Sequence, residues 1–314
     1  MSSSKGTSLP VLSLRARDFQ MLETIGACGG LTALHLTALF FPPYRYPVSV
    51  AHSNCERRLK LLHVHGYVAR IEQPQILSDG RKPFVYTLTK KGAQMLAHSM
   101  ECELSELQWR VLEGESEHFL DHLLLTNNVR TALLSAIQHH SNEVAIQTWR
   151  DDVTLKRLHS QDRLKIEVGE GRTETRILVP DGYVLLYAQR MRDFRNPAAP
   201  PGPRELHHFL EIDRATETGA STVEHRRTWA KKIKMYLAYY EQFYEQRYGT
   251  KGLRILTVTT SKKRMENLME VTGRAGGKFR FWFTTFAQIS TESILTEPIW
   301  QMVGREEPTP LLLV

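Results

Sequence analysis

Two short acidic strings carry the residues best suited to chemistry. They are Val179-Pro180-Asp181-Gly182 and Phe209-Leu210-Glu211-Ile212-Asp213, with 29 residues between Asp181 and Glu211. Each lies at an apolar run that reads as a strand. Carboxylates brought together from neighbouring strands offer hard oxygen ligands, suited to Mg²⁺ or Mn²⁺. Such an ion polarises a phosphodiester and helps to generate hydroxide, and a nearby cation stabilises the charge that develops. Asp181, Glu211 and Asp213 are therefore the candidate metal ligands. Lys232 is the candidate cation. It lies four residues before Tyr236, so the two share a helix face. Glu117, upstream, is a further acidic candidate. Arg214 is next to Asp213 but points to the other side of a strand. Each string also has a plainer reading: Pro-Asp-Gly alone is commonly a turn, and Glu-Ile-Asp-Arg is commonly a surface ion-pair cluster.

The elements that must position these residues follow from periodicity. A long helix is predicted over 116–140, capped by Ser116, with Phe119, Leu120, Leu123, Leu124, Val129 and Leu133 on its apolar side. Strands are predicted over 144–149, 164–168 and 175–187, the last passing through Pro180-Asp181-Gly182. A proline-rich loop over 196–203 is expected to stay out of any sheet. Then come a strand over 207–213, a helix over 222–248, a strand over 254–259, a helix over 262–272 and a strand over 278–284. His118 and His122 are spaced to share a metal on a helix, but no third ligand is evident, so packing or capping is the reading. The run of Arg226, Arg227, Lys231, Lys232 and Lys234 reads as a solvated face with phosphate contact as its functional alternative.

The first hundred residues have a different character. They hold 12 lysines and arginines against 5 acidic residues, whereas residues 101–314 hold 29 of each, so the whole net charge of +7 lies in the first third. A basic module joined to a neutral one suggests a polyanion-binding head. Helices are predicted from Asp18 (as N-cap) to Cys28, from Thr32 to Leu39, and from Ser49 to His65 with Val50, Leu59, Leu62 and Val64 buried. Short β runs follow at 67–72 and 84–88, and Thr89 opens another helix. Helix, helix, helix, strand, wing, strand is the order of a winged helix-turn-helix. The third helix would offer His52, Ser53, Asn54, Arg57, Arg58 and Lys60 to the major groove. Arg81 and Lys82 at the wing tip would reach phosphate or minor groove. Winged helices also serve as protein-interaction modules; the charge favours double-stranded DNA.

The predicted organisation is α/β (α+β): a winged helix-turn-helix over 1–100, a linker or connecting helix over 101–115, a mixed sheet flanked by helices over 116–290 and a C-terminal tail over 291–314. No apolar run approaches the ~18 residues needed to cross a bilayer, and the N-terminus lacks a secretory pattern. Three widely spaced cysteines, Cys28, Cys55 and Cys102, fit neither a disulfide framework nor a zinc site. A cytoplasmic protein with no membrane partner is the expectation.

The order of the second part resembles the restriction-endonuclease-like fold, whose nucleases carry Pro-Asp on one strand and (Asp/Glu)-x-Lys on the next. Asp181 and Glu211 match that pattern, while Asp213 stands at the lysine position. A carboxylate there can ligate metal but cannot stabilise a phosphorane. Lys232-x-x-x-Tyr236 resembles the Gln-x-x-x-Tyr helix motif of some of these nucleases, with lysine in place of glutamine.

The combination is more specific. His122-Leu123-Leu124-Leu125-Thr126-Asn127-Asn128-Val129-Arg130, Pro180-Asp181-Gly182, the string from Phe209 to Glu217, and Lys232-Ile233-Lys234-Met235-Tyr236 together resemble the replication-relaxation family, over roughly residues 15–285. Glu211-Ile212-Asp213-Arg214-Ala215-Thr216-Glu217 is the most specific part. The resemblance implies a DNA-binding accessory protein of plasmid or mobile-element replication or mobilisation, and the missing lysine, not the resemblance, makes its nuclease-like domain read as degenerate. A metal-dependent DNA endonuclease and a transcriptional regulator acting through the winged helix are the alternatives. Other replication, mobilisation or transposition proteins are the protein partners it suggests, and a homodimer is left open.

Overall fold

The computed structural model describes residues 12–41, 47–74, 82–112, 114–140, 143–169, 172–192, 200–214 and 222–312. The chain is an α/β protein. Its contacts divide it into two compact units, Met1–Thr131 and Ala132–Val314.

In the first unit, α1 (Ala16–Cys28), β1 (Leu31–Thr32), α2 (Ala33–Phe40) and α3 (Val48–Val64) are followed by β2 (Val68–Ile71), β3 (Val85–Leu88) and α4 (Lys90–Ser99). Asp18 is not the N-cap of α1 but sits three residues beyond it. Arg15 is the cap, and its backbone N–H donates to Asp18 Oδ2 at 2.6 Å. Thr32 and Thr89 cap α2 and α4, accepting from His35 N at 3.4 Å and Gly92 N at 3.0 Å. The buried side of α3 is Ala51, Cys55, Leu59 and Leu62. Val50 and Val64, expected inside, are each 43% exposed. Small Ala51 and Cys55 lack the hydrophobic weight that drew the expectation to the valines, but they are the residues that α3 turns into the core. β1, β3 and β2 form an antiparallel sheet in that order. At two residues, β1 is too short to show a strand pattern in sequence. Gly92 makes a close approach here: a Cβ would lie 2.2 Å from Tyr67 O.

Residues 101–112, expected as a connector, pack into this unit. Leu104, Leu107 and Trp109 lie against its core, and Leu112 is buried. Next comes α5 (Glu117–His139), its start capped by Ser116 Oγ, which accepts from Phe119 N at 3.2 Å. The Asn-Asn-x-Arg string of α5 has a structural task. Asn127 Nδ2 donates to Cys28 O (3.0 Å) and Gly30 O (2.7 Å), and Arg130 Nη1 donates to Ala27 O (2.8 Å). Asn128 Oδ1 lies 2.6 Å from His35 Nε2. Asn127 and Arg130 thereby satisfy carbonyls left open where α1 ends. The division between the units falls inside α5, later than the expected boundary at 115.

The second unit comprises β4 (Val144–Asp151), α6 (Asp152–Leu158), β5 (Leu164–Gly169), β6 (Arg172–Arg176), β7 (Gly182–Met191), β8 (Gly202–Ile212) and α7 (Thr222–Tyr239). A π turn (Tyr240–Tyr244) joins α7 to α8 (Glu245–Tyr248). Then follow β9 (Arg254–Thr259), α9 (Lys262–Arg274), β10 (Phe281–Thr285), α10 (Ser293–Thr296) and β11 (Gln301–Met302). Six strands form one mixed sheet in the order β11-β10-β9-β8-β7-β4. β4, β7 and β8 run antiparallel, and β8, β9 and β10 run parallel.

Three sequence expectations change. The strand predicted over 175–187 is two: β6 pairs with β5 in a separate hairpin, and β7 begins at Gly182. Pro180 and Asp181 lie in the turn between them, where the missing proline N–H costs no ladder bond. The proline-rich loop does not stay wholly outside the sheet, because Gly202 and Pro203 begin β8. There β8 pairs with β7 only, since β9 joins it from His208 onward, and an edge tolerates proline. The expected tail is also built in: Trp300, Leu311 and Leu312 are buried and β11 extends the sheet. The main core lies between the sheet and α7, from Tyr183 and Phe209 to Trp229, Ile233, Tyr236, Tyr239 and Tyr244.

Candidate acidic centre and basic helix

Alternation along β8 sends Phe209, Glu211 and, just past the strand, Asp213 to the side covered by α7. Glu211 is 2% exposed. Its two oxygens accept from two α7 side chains one turn apart: Oε2 from Lys232 Nζ and Oε1 from Tyr236 OH. Burial pushes the Glu211 carboxyl up to about 7, with Lys232 opposing the rise and Asp181 adding to it. Burial works against the Lys232 ammonium, but the Glu211 and Asp181 carboxylates outweigh it, and the amine titrates above its ordinary value. Burial, then Glu211, holds the Tyr236 phenol protonated well past its usual range.

Asp181 reaches the same strand end through the backbone. Its N–H donates to Leu210 O at 3.0 Å, and its Oδ2 accepts from Ile212 N at 2.7 Å. It thus lies beside the peptide that follows Glu211. Asp213 is held differently. Arg264 of α9 grips it with Nε to Oδ2 and Nη2 to Oδ1, both 2.9 Å, and Thr259 Oγ1 donates to Oδ2 at 2.6 Å. A guanidinium fork of this kind is the strong, oriented form of carboxylate pairing. The structure therefore brings Asp181, Glu211 and Lys232 together and gives Asp213 its own cation. Arg264 escaped the sequence reading because it ends a Lys-Lys-Arg run on an amphipathic helix, which reads as a solvated face. Thr257 also went unnoticed. It faces Glu211 across the β8–β9 register, and its buried Oγ1 has no hydrogen-bond partner among the described residues.

Protein donors engage both oxygens of Glu211 and both of Asp213. As arranged, these carboxylates are engaged in ion pairs and hydrogen bonds. Among the described residues no three His, Cys, Asp or Glu side chains group as a metal site. Glu117, the remaining acidic candidate, is paired with Lys82 Nζ at 2.9 Å within the first unit.

The residues named for the third helix divide by environment. Ser53, Arg57 and Lys60 are exposed on α3. Neither Arg57 nor Lys60 has a carboxylate partner among the described residues, and Arg57 Nη2 reaches only Asn54 Oδ1 at 3.3 Å. His52 is half-buried, between Thr37 Oγ1 (3.2 Å) and Glu56 Oε1 (3.6 Å). Arg58 points inward, with Nε and Nη2 on the buried Asp18 carboxylate and Nη2 also on Ser13 O at 2.9 Å. Lys82 turns to Glu117, and Arg81 lies outside the described residues.

A family model described as replication-relaxation matches residues 22–253, a span that includes α3, α5, both acidic strings and Lys232. No curated protein and no solved structure matches the chain.

Proposed function

The chain belongs to the replication-relaxation family, and on that premise we propose that it is a DNA-binding accessory protein of plasmid or mobile-element replication or mobilisation. In this reading the first unit is a winged helix that docks α3 on double-stranded DNA, and the second is a nuclease-like body that does not cleave. The observation that carries the binding half is the outward row of Ser53, Arg57 and Lys60 on α3, with cations not neutralised by carboxylates among the described residues. Three helices, a three-stranded antiparallel sheet and the basic first third support it. Within the main sheet, β4, β7 and β8 run antiparallel and β9, after α7, joins β8 in parallel, which supports the nuclease-like reading of the body. The non-cleaving half rests on Asp213, which is gripped by Arg264 where the nuclease pattern has a free lysine.

Fluorescence anisotropy with duplex DNA tests the first half. Binding should fall steeply with salt, and Arg57→Ala with Lys60→Ala should weaken it by at least tenfold, since each lost phosphate or base contact is worth about 1–3 kcal/mol. Unchanged affinity removes α3 as the contact. One observation favours the endonuclease alternative: Lys232 touches Glu211, so a cation does accompany the Pro-Asp and Glu positions. Plasmid DNA incubated with Mg²⁺ or Mn²⁺ decides between the two. Nicking by the wild type that vanishes in both Asp181→Ala and Glu211→Ala establishes the endonuclease, whereas intact DNA supports the accessory role.

A further inference from the structure

Beside α3 the first unit holds a cavity of about 210 Å³, lined by Arg17, Phe41, Asn54, Arg57, Arg58 and Leu61. That is well over ten times the roughly 10–15 Å³ that one water needs, so there is room for a polyatomic group. Three of its six lining residues are arginines, from two helices and with different anchors. Arg17 of α1 sits over the Phe41 ring, its Cζ 4.1 Å from the centroid. Phe41 is itself buried, so it offers the guanidinium a fixed aromatic support without neutralising its charge. Arg58 is locked from behind by the buried Asp18 carboxylate and Ser13 O through Nε and Nη2. That leaves the two Nη1 hydrogens without a partner among the described residues. Arg57 and the Asn54 amide close the outer side. Asp18 offsets one positive charge. Neither Arg17 nor Arg57 has a carboxylate partner among the described residues, so the cavity keeps a net charge of about two.

We propose that this pocket seats a phosphoryl group, gripped by Arg17, Arg57 and Arg58. Planar guanidinium forks match the tetrahedral oxygens of phosphate in geometry as well as charge. The stacked and buttressed arginines are already oriented, so little side-chain freedom is lost on binding. Two sources share this chemistry: a DNA backbone phosphate flanking the groove that α3 enters, or the phosphates of a free nucleotide. The first deepens the DNA-binding reading and rests on it, while the second does not. Arg17 is the decisive residue, because it lies on α1, outside the face of α3 assigned to base reading.

The test uses the full chain and three variants: Arg17→Gln, Arg17→Lys and, as a surface control, Arg274→Gln. Duplex affinity is measured by anisotropy against salt, and pyrophosphate and ATP are titrated by thermal shift and calorimetry. If the phosphate is DNA's, Arg17→Gln weakens duplex binding about tenfold and lowers the slope of log K against log salt by about 0.9, the value for one phosphate contact. Arg17→Lys recovers part of both, and Arg274→Gln changes neither. If the phosphate is a nucleotide's, pyrophosphate or ATP raises the melting temperature of the wild type but not of Arg17→Gln, whether or not duplex DNA binds. Duplex binding with the same affinity and salt slope in Arg17→Gln, together with no pyrophosphate or ATP binding, overturns the pocket while leaving the DNA-binding reading standing. Loss of all binding, duplex and phosphate, by the wild type overturns both.

Discussion

Replacing Glu211 with glutamine should change how stability depends on pH more than it changes stability itself. In the folded chain the carboxyl is buried and titrates at about 7, against 4.5 for the free group. Between those values the folded state holds a proton that the unfolded state has released. Wild-type stability therefore falls as pH rises through this window, and the loss is complete above about pH 7. At 1.36 kcal/mol per pH unit the window is worth about 3 kcal/mol. Glutamine has no proton to lose. Its carbonyl can still accept from Tyr236, and Lys232, whose side chain is 31% exposed, can turn toward water. Whatever offset separates the two proteins near pH 4.5, the variant should gain about 3 kcal/mol on the wild type by about pH 8. Urea unfolding followed by tryptophan fluorescence suits the measurement, because Trp149, Trp229, Trp282 and Trp300 all lie in the second unit. A difference that stays constant within about 0.5 kcal/mol, or that moves in favour of the wild type with rising pH, refutes the reasoning. It would mean that Lys232, not burial, sets the ionisation of Glu211.

Three other substitutions probe separate parts of the molecule. Arg264→Ala strips Asp213 of both guanidinium bonds and should cost about 2 kcal/mol, reduced from the buried-pair range because Arg264 keeps some solvent contact; adding Asp213→Asn should recover part of the loss in thermal melting. Asn127→Ala leaves Cys28 O and Gly30 O without their amide donor and should destabilise the first unit by about 2 kcal/mol, seen as faster amide exchange around residues 26–32. Gly92→Ala forces a methyl against Tyr67 O and should cost about 3 kcal/mol or more, whereas Gly114→Ala, where no atom lies within 4 Å of the new Cβ, meets only the strain of φ +73°; circular dichroism melts rank the two.

What could be read from the chain follows from how each residue is used. Long elements with a full apolar face, α5, α7 and β9, were visible because burial imposes a period on many residues at once. The acidic strings were visible because hard-ligand chemistry needs rare residues at neighbouring strand ends. β1 was invisible because two residues carry no period. The inward anchoring of Arg58 was invisible because its helix position looks outward in projection, and only the fold reveals Asp18 reaching it from α1. Arg264 was missed because its partner lies 51 positions away and a cation in a basic run carries no sign of what it will touch. The C-terminal segment read as a tail because Trp300, Leu311 and Leu312 are too scattered to form a pattern, although all three become interior.

The π turn between α7 and α8 acts as a register adjuster. Tyr236, Tyr240, Tyr244 and Tyr248 recur every four residues, and a four-residue step in an α-helix overshoots a full turn by about 40°. The wider turn takes back part of that drift, and Tyr240, Tyr244 and Tyr248 stack at 5.7 and 5.0 Å. Tyr248 OH then meets His159 Nε2 at 2.9 Å. Upstream of the adjuster lie Lys232 and Tyr236 with Glu211; the tyrosine stack runs through it to Tyr248. Deleting one residue within 240–244 would rewind the rod and swing the stack out of phase, while the acidic centre, on the far side of the slip, would keep its alignment.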